Sequence, residues 1–253
     1  MPLITVTSFK GGAGKTMLAA NLAVGLHSVG WDVFAIDFNP QDALKLHFGL
    51  DPLDRRGFAA RLLVGENWED SVFGAEGGID IMPFGRIQAA LSGSVAGLLD
   101  SDTEHVVAGL VDLAKSRMVV IDAPSLPAVS ARRLAAAADI VVVATPTDAG
   151  SYAALSLADA ETFLAADGIL SRTLVVANQF DDGARLQRDI HALLGRTFGS
   201  RLAATIARDQ IVDEALASRR TVVMHDHACD AARSLVALAV EVNRRCANPG
   251  EVP

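Results

Sequence analysis

Short apolar runs alternate with longer amphipathic segments along almost the whole chain. The apolar runs are rich in Val, Ile and Ala, which is typical of parallel strands that helices cover on both faces. We predict strands near residues 3–8, 33–36, 79–82, 118–121, 139–144, 173–177 and 202–206, and helices near 15–28, 103–115, 151–166, 184–194, 209–218 and 229–245. Residues 42–75 read as short broken helices, and a short apolar segment lies at 221–223.

Alternating strands and helices without a long linker predict a single α/β domain. Its sheet should be doubly wound and mostly parallel, with helices on both faces. The domain would cover residues 1–246, and residues 247–253, which contain two prolines and a glycine, would form a frayed tail. Ligands of such folds bind at the carboxyl ends of the strands. Polar residues follow four of the predicted strands at this edge: Asp37, Asp122, Thr147 and Asn178.

A glycine-rich segment, residues 9–16, connects the first predicted strand to the first predicted helix. Strand, glycine loop and helix in this order are the context of a phosphate-binding loop, whose backbone N–H groups and helix N-terminus face phosphate oxygens. Lys15 would reach the β- and γ-phosphates, and the Thr16 hydroxyl would bind Mg²⁺. A dinucleotide fingerprint does not fit, because Met17 stands where a small residue is needed. The segment predicts an ATP-binding site formed by Lys10, Gly11, Gly12, Ala13, Gly14, Lys15, Thr16 and Met17.

Asp122 closes an apolar run about a hundred residues after the glycine loop. A carboxylate in that place can hold Mg²⁺ through a water molecule, as the Walker B aspartate does. An aspartate that ends a buried strand is also common as a helix N-cap. Since Thr16 already offers a metal-binding hydroxyl, we expect Thr16 and Asp122 to form the metal site.

The glycine loop resembles the deviant Walker A motif of the MinD/ParA family of P-loop ATPases. The motif here is Lys10-Gly11-Gly12-Ala13-Gly14-Lys15-Thr16, with Phe9 where the standard form has its first glycine. The resemblance implies that the cofactors are ATP and Mg²⁺, and that two copies of the chain form an ATP-sandwiched homodimer. It also implies that Lys10 contacts the partner's nucleotide, much as an arginine finger acts in trans.

A second stretch that resembles this family is Asp37-Phe38-Asn39-Pro40-Gln41. In the family, the second acidic residue of the stretch orients the attacking water, and Asn39 occupies its place here. An amide cannot take a proton from water, so ATP hydrolysis should be slow or absent, and we leave open whether the chain is an enzyme. Asn39 is equally compatible with a turn-forming role.

Two later residues match positions that hold the nucleotide base in this superfamily. Asn178 follows a predicted strand and would hydrogen-bond the base, although asparagine is also common as a turn former. Arg208 lies in Ile206-Ala207-Arg208, which is similar to the family's late loop near the base, with Ala207 in place of its usual proline.

The middle of the chain is similar to the BcsQ branch of the family, whose members are encoded with bacterial cellulose synthase. The residues that carry this resemblance are Lys45-Leu46-His47-Phe48-Gly49, Arg56-Gly57, Trp68 with Asp70, and Ile81-Met82-Pro83-Phe84-Gly85. The resemblance implies an ATP-dependent switch that helps to assemble, localise or activate the cellulose secretion machinery. Its partners would be a second copy of the chain, other Bcs proteins and a small helper protein.

Composition narrows the remaining alternatives. The net charge is −8 and the sequence pI is about 5.2, which argues against a nucleic-acid partner and so against a ParA-type DNA partition ATPase. No apolar run approaches the roughly 20 residues of a membrane span, and two cysteines are too few for a disulfide framework. Because no signal peptide is evident, we expect a cytoplasmic protein that reaches the inner membrane face only through partners. A MinD-type membrane ATPase and a small-molecule kinase or ligase remain open alternatives.

Overall fold

The computed structural model describes residues 1–75, 77–87, 92–156 and 166–247. Its centre is an eight-stranded sheet in the order β3-β4-β2-β5-β1-β6-β7-β8. All neighbouring strands are parallel except β3, which pairs with β4 in the antiparallel direction. The strands are β1 (Leu3–Thr7), β2 (Val33–Asp37), β3 (Phe73–Gly74), β4 (Asp80–Met82), β5 (Met118–Asp122), β6 (Ile140–Pro146), β7 (Thr173–Phe180) and β8 (Leu202–Ala207).

Helices connect most of the strands and cover both faces of the sheet. The α-helices are α1 (Lys15–Ser28), α2 (Phe58–Leu63), α3 (Ser92–Leu113), α4 (Val129–Ala137), α5 (Ala149–Ser156), α6 (Arg185–Phe198), α7 (Ile211–Ala217), α8 (Val222–His225) and α9 (Asp230–Ala247). Short 3₁₀ turns lie at Leu44–Phe48, Trp68–Ser71, Ala166–Arg172 and Gly199–Arg201. No helix in the described parts of the chain is both long enough and apolar enough to cross a membrane.

The alternation of side chains along each strand divides the core between the two faces. Val120 of β5 packs with α1 and α9, whereas its neighbours Val119 and Ile121 pack with α3 on the other face. In the same way, Val142 of β6 points to the α1 side, and Val141 and Val143 face α4 and α6. Because both faces are covered, these strands are buried along their whole length, as their continuous apolar sequences predict.

The predicted mostly parallel, doubly wound sheet is confirmed. Residues 42–75, predicted as short broken helices, hold three short helical segments but also the edge strand β3, which is absent from the sequence predictions. The largest difference is the predicted helix at 103–115, which runs from Ser92 to Leu113. Strand β7 extends three residues beyond the predicted end at residue 177, and the segment at 221–223 forms the start of α8. The predicted helix at 151–166 is observed as α5 up to Ser156, and the rest of it up to residue 165 lies outside the described residues. The predicted tail also lies outside them from residue 248 onward.

A buried ion pair anchors the loop that follows β2. Nζ of Lys45 lies 2.5 Å from Oδ2 of Asp42, and the two side chains are only 3% and 2% exposed. The same ammonium donates to the carbonyl oxygen of Asp54 at 2.6 Å. Oδ1 of Asp42 accepts a hydrogen bond from the amide of Gly85 at 3.0 Å. The pair therefore connects the β2 loop to the segment after β4.

The segment before α2 and the segment after β4 approach each other closely at two glycines. A Cβ atom added to Gly57 would lie 2.3 Å from the backbone nitrogen of Gly85. A Cβ atom added to Gly85 would lie 2.7 Å from the Cα atom of Gly57, and Gly85 also has a φ of +85°, which favours glycine. The backbones of these two segments are thus in direct contact at Gly57 and Gly85, with no room for a side chain between them.

Candidate nucleotide-binding site

The glycine loop lies between the end of β1 and the start of α1, at the centre of the sheet. Strand β1 pairs with β5 on one side and with β6 on the other, so the loop emerges where the strand order diverges. Gly12 and Gly14 have φ angles of +74° and +82°, which side chains rarely adopt. Gly14 precedes α1, and its carbonyl oxygen accepts the amide of Leu18 at 3.0 Å. The loop backbone therefore turns into the helix N-terminus, as a phosphate-binding loop requires.

Two consecutive amide side chains from the end of β7 hold the outer side of this loop. Nδ2 of Asn178 donates to the carbonyl oxygen of Ala13 at 2.8 Å, and Nε2 of Gln179 donates to that of Gly12 at 3.2 Å. Asn178 is buried, and a Cβ atom on Gly14 would lie 2.3 Å from its Nδ2. The Asn178 amide is thus engaged with the loop itself, and its predicted contact with a nucleotide base stays a prediction.

Thr16 and Asp122 meet directly below the loop. The Thr16 hydroxyl donates to Oδ2 of Asp122 at 2.7 Å. Asp122 is fully buried, and its Oδ1 has no hydrogen-bond partner within the described residues. Burial raises the pKa of Asp122 to about 6, although the Thr16 hydroxyl and the Lys15 charge act in the opposite direction. A buried, unsatisfied carboxylate oxygen beside a threonine hydroxyl fits Mg²⁺, which binds oxygen ligands and keeps several of its waters.

Lys15 extends from the first turn of α1 to the loop that follows β5. Its Nζ donates to Oγ of Ser125 at 3.0 Å. Burial lowers the pKa of Lys15, and the charges of Asp122 and Asp37 oppose this effect. The ammonium is therefore partly desolvated and lies close to two buried carboxyl groups, with a neutral oxygen as its hydrogen-bond partner.

Asp37 and Asn39 lie beside Asp122 at the carboxyl end of the sheet. Asp37 stands opposite Asp122 in the β2–β5 register, and its carboxylate accepts the amides of Asn39 at 2.8 Å and Leu44 at 3.0 Å. Burial, reinforced by the Asp122 charge, raises the pKa of Asp37 well above its usual value. Nδ2 of Asn39 donates to the backbone carbonyl of Asp122 at 3.0 Å. Asp37 thus shapes the loop, and Asn39 is held against the strand that carries the candidate metal ligand.

Lys10 lies at the exposed rim of the site. Its Nζ is 3.2 Å from Oδ1 of Asp148, and the side chains are 49% and 46% exposed. Asp148 also accepts the amide and the hydroxyl of Ser151, at 2.9 and 2.7 Å. Partial burial disfavours the ionised form, but the hydrogen bonds from Ser151 and Lys10 lower the pKa of Asp148. Within one chain, Lys10 is thus paired with the start of α5.

The remaining predicted residues lie further from the glycine loop. Arg208 is exposed at the end of β8, and its backbone amide donates to the carbonyl of Phe180 at 2.8 Å. This places Arg208 beside the strand that carries Asn178. The Thr147 hydroxyl donates to Oε1 of Gln187 at 2.7 Å, so Thr147 connects the end of β6 to α6.

Four residues of the site are absent from the sequence predictions: Ser8, Ser125, Asp148 and Gln179. Ser8 and Ser125 are the residues that follow, or nearly follow, a strand end already assigned to the site, and this position is the signal that could have identified them. Asp148 and Gln179 act through contacts with Lys10 and Gly12, which are distant in sequence. Both residues directly follow predicted strand-end residues, Thr147 and Asn178, but the contacts themselves depend on how the strands are ordered in the sheet.

A central glycine loop, a threonine hydroxyl on a strand-end aspartate and a second lysine before the glycines define a P-loop ATPase fold of the MinD/ParA type. Residues 1–242 match the family described as "Cellulose biosynthesis protein BcsQ". The chain belongs to the BcsQ family.

Individual relatives agree with this assignment. The chain is 24% identical over 242 residues to BcsQ of Escherichia coli K12, with 94% of this chain and 93% of the relative covered. It is 30% identical over 249 residues to the chromosome-partitioning ATPase Soj of Thermus thermophilus, covering 96% and 95%. Among solved structures, MinD from Pyrococcus horikoshii complexed with Mg-ADP superposes with a TM-score of 0.77 at 19% identity, covering 98% of both chains. This last likeness shows the shared fold.

Proposed function

We propose that the chain binds ATP with Mg²⁺ and then forms a homodimer that supports a bacterial cellulose synthase complex. The observation that carries this proposal is the Thr16–Asp122 contact, with its unsatisfied carboxylate oxygen, directly below the glycine loop. The BcsQ family supplies the cellulose context. The likeness to MinD, which was solved with Mg-ADP, supports the choice of nucleotide and metal.

Each residue of the site has a defined part in binding. The backbone amides from Gly11 to Met17 and the Lys15 ammonium bind phosphate oxygens. Thr16 binds the metal directly, and Asp122 binds it through water. When bound, Mg²⁺ neutralises charge on the β- and γ-phosphates. Asn178 and Arg208, at the ends of β7 and β8, contact the base.

Asn39 makes the proposed switch slow to reset. One N–H of its amide donates to the Asp122 carbonyl, which fixes the side chain against β5, and the amide oxygen is its one acceptor for a hydrogen bond from water. An amide oxygen can orient a water molecule but cannot accept its proton. Bound ATP should therefore be hydrolysed slowly, and the dimer should persist after ATP is added.

Lys10 would change partners when the dimer forms. In the single chain it pairs with Asp148 across a half-exposed contact, and such surface pairs contribute only about 0–1 kcal/mol. A triphosphate from the second subunit offers a stronger charge than one carboxylate, so the exchange is favourable. We expect the dimer surface to bind other Bcs proteins and a small helper protein, and these partners to bring the chain from the cytoplasm to the inner membrane face.

Light scattering tests the proposal. Solution mass is followed for a day after ATP and Mg²⁺ are added to the wild type, Lys15→Ala and Lys10→Ala. We expect the wild type to form a lasting dimer. Lys15→Ala should bind no ATP and stay a monomer, and Lys10→Ala should bind ATP but also stay a monomer. Dimerisation of Lys10→Ala with ATP would contradict the sandwich, and a dimer that decays as ADP accumulates would contradict the role given to Asn39.

The likeness to Soj favours a second candidate, a partition ATPase that binds DNA when ATP is present. Such a protein would lose DNA affinity steeply as salt increases, because phosphate contacts release counterions. The net charge of −8 opposes this candidate. An ATP-dependent, salt-sensitive gel shift with random-sequence duplex DNA would support it over the cellulose role.

A further inference from the structure

Two serine hydroxyls connect the two lysines of the glycine loop. Nζ of Lys15 donates to Oγ of Ser125 at 3.0 Å. Oγ of Ser125 lies 3.2 Å from Oγ of Ser8, and Ser8 Oγ lies 2.7 Å from the carbonyl oxygen of Lys10. The contacts form one continuous chain from the Lys15 ammonium to the peptide that joins Lys10 to Gly11.

Only one arrangement of protons satisfies this chain. A carbonyl oxygen can only accept, so the single Ser8 proton is donated to Lys10. Ser8 Oγ must then accept the proton of Ser125, and Ser125 Oγ accepts from the Lys15 ammonium. Every hydrogen bond therefore points in the same direction, which is the arrangement in which neighbouring hydrogen bonds strengthen each other.

The backbone keeps the two serines together. Ser8 is fully buried, and its carbonyl oxygen accepts the amide of Leu126 at 2.8 Å. The Thr7 hydroxyl donates to the carbonyl of Pro124 at 2.8 Å. These bonds join the end of β1 to the loop after β5 on both sides of the serine pair. The backbone of Ser125 is consequently fixed beside Ser8, in a position from which its hydroxyl reaches Lys15.

Ser125 also decides what Lys15 contacts before a ligand arrives. The ammonium lies close enough to Asp122 and Asp37 for their charges to raise its pKa, yet its hydrogen bond goes to the neutral Ser125. Without that hydroxyl, the ammonium would be free to pair with the Asp122 carboxylate, whose charge already acts on it and whose Oδ1 has no hydrogen-bond partner within the described residues. An ion pair there would occupy the carboxylate that the metal site requires.

We propose that Ser8 and Ser125 are positioning residues that hold Lys15 ready for phosphate and couple it to the peptide carrying Lys10. The proposal rests on ATP binding at the glycine loop, the proposed function. When Lys15 moves to a phosphate, Ser125 loses its donor, and the change passes through Ser8 to the Lys10 carbonyl. Occupancy of one subunit's phosphate site thereby reaches the residue that contacts the other subunit.

The first test is the affinity for Mg-ATP of Ser8→Ala, Ser125→Ala and the double variant, measured by calorimetry. Each single change should weaken binding about tenfold, because Lys15 is then no longer held away from the Asp122 carboxylate and that ion pair must break before phosphate binds. Because both break the same chain, the double variant should bind as each single variant does. Ser125→Thr, which keeps the hydroxyl, should bind like the wild type. Ser71→Ala, a buried serine in a 3₁₀ turn outside the site, should also leave binding unchanged.

Losses that multiply to about a hundredfold in the double variant would refute the relay, because independent sites add their free energies. Binding by Ser125→Thr that is as weak as that of Ser125→Ala would refute it as well, since the hydroxyl would then make no difference. Thermal unfolding without nucleotide checks that each variant is folded.

The second test does not use ATP. The nitrogen of Gly11 is bonded to the Lys10 carbonyl carbon, so its amide resonance in a ¹⁵N–¹H spectrum reports the hydrogen bond at that carbonyl. Ser125→Ala should shift the Gly11 resonance in the same direction as Ser8→Ala, although Ser125 reaches that peptide only through Ser8. An unmoved resonance in Ser125→Ala refutes the relay. If the wild type fails to bind Mg-ATP but the resonance moves, the proposed function fails and the relay stands.

Discussion

Asp122→Asn should make the metal-free protein more stable while removing its response to Mg-ATP. The ionised carboxylate is fully buried, and its pKa of about 6 instead of 3.8 measures how much the fold disfavours that charge. One pKa step equals about 1.4 kcal/mol, so the cost at pH 8 is about 3 kcal/mol. Asparagine has nearly the same shape without the charge, and removing the charge should recover about 2–3 kcal/mol.

The size of the effect depends on pH. Between about pH 4 and pH 6 the folded protein binds more protons at Asp122 than the unfolded chain does, so its stability falls as pH rises. Below about pH 4 the carboxyl group is neutral in both states, and the variant gains nothing. Above about pH 6 the full difference is present. For a chain of this size, 2–3 kcal/mol corresponds to about 5–10 °C in Tm.

Thermal unfolding at pH 4 and pH 8, in EDTA for the metal-free protein and with Mg-ATP in place of EDTA for its response, measures this prediction. Asp112→Asn is the control, because that carboxylate is 75% exposed and pairs with the exposed Lys115. It should move Tm by less than about 2 °C at either pH. A Tm of Asp122→Asn at or below that of the wild type at pH 8 would show that Asp122 is stabilised as an anion. The link between the burial of this carboxylate and metal binding would then be wrong.

Three further substitutions test other parts of the structure. Gly14→Ala should abolish Mg-ATP binding and lower stability by about 1–3 kcal/mol, since its φ is +82°. Gly11→Ala should leave stability unchanged, because its Cβ would meet nothing within 4 Å. Lys45→Ala should lower the free energy of unfolding in urea by about 3–5 kcal/mol, because it leaves Asp42 buried without its partner. Asn39→Asp should raise phosphate release about 10²-fold by restoring a proton acceptor.

For each of these predictions, one experimental outcome would contradict it. Mg-ATP binding by Gly14→Ala at wild-type affinity would mean that the loop does not hold phosphate in this conformation. Lys115→Ala removes an exposed ion pair of the same spacing and should lower the free energy of unfolding by less than about 1 kcal/mol. If Lys45→Ala lowered it by no more than that, burial of the Asp42–Lys45 pair would not matter for stability. Unchanged phosphate release by Asn39→Asp would show that another group limits hydrolysis.

The local patterns of the chain predict most of the fold and the inner part of the site. Helix α1 begins and ends where its glycine loop and apolar period predict. Asp122 lies beside Thr16 because Asp122 ends β5 and the loop before Thr16 follows β1, the adjacent parallel strand. Helix α3 is predicted eleven residues too short at its start (residue 103 against Ser92), because glycine and serine in its first turns have low helix propensity. Burial of side chains further along, such as Leu99, overrides that preference. Tertiary packing is not visible in the local sequence.

The outer part of the site could not be predicted for a related reason. Lys10 is recognisable from its motif, but its partner Asp148 is 138 residues away and is chosen by the position of β6 next to β1. Gln179 has a φ of +57°, a conformation that its side chain does not favour and that the sequence therefore does not indicate. Contacts made by exposed residues across the sheet follow from the order of the strands.

The crossing of Gly57 and Gly85 limits how this protein can diverge. When two side chains clash, a smaller residue at one position can compensate a larger residue at the other. Here each glycine is opposed by backbone atoms, so no substitution at one position can relieve a substitution at the other. Both glycines must therefore be retained together. Asp42 accepts a hydrogen bond from the amide of Gly85 and lies three residues after Asn39, so the backbone of the loop at the phosphate site is held by the same glycine contact. The side chains of this loop, Asn39 among them, can therefore be exchanged while its backbone path is kept.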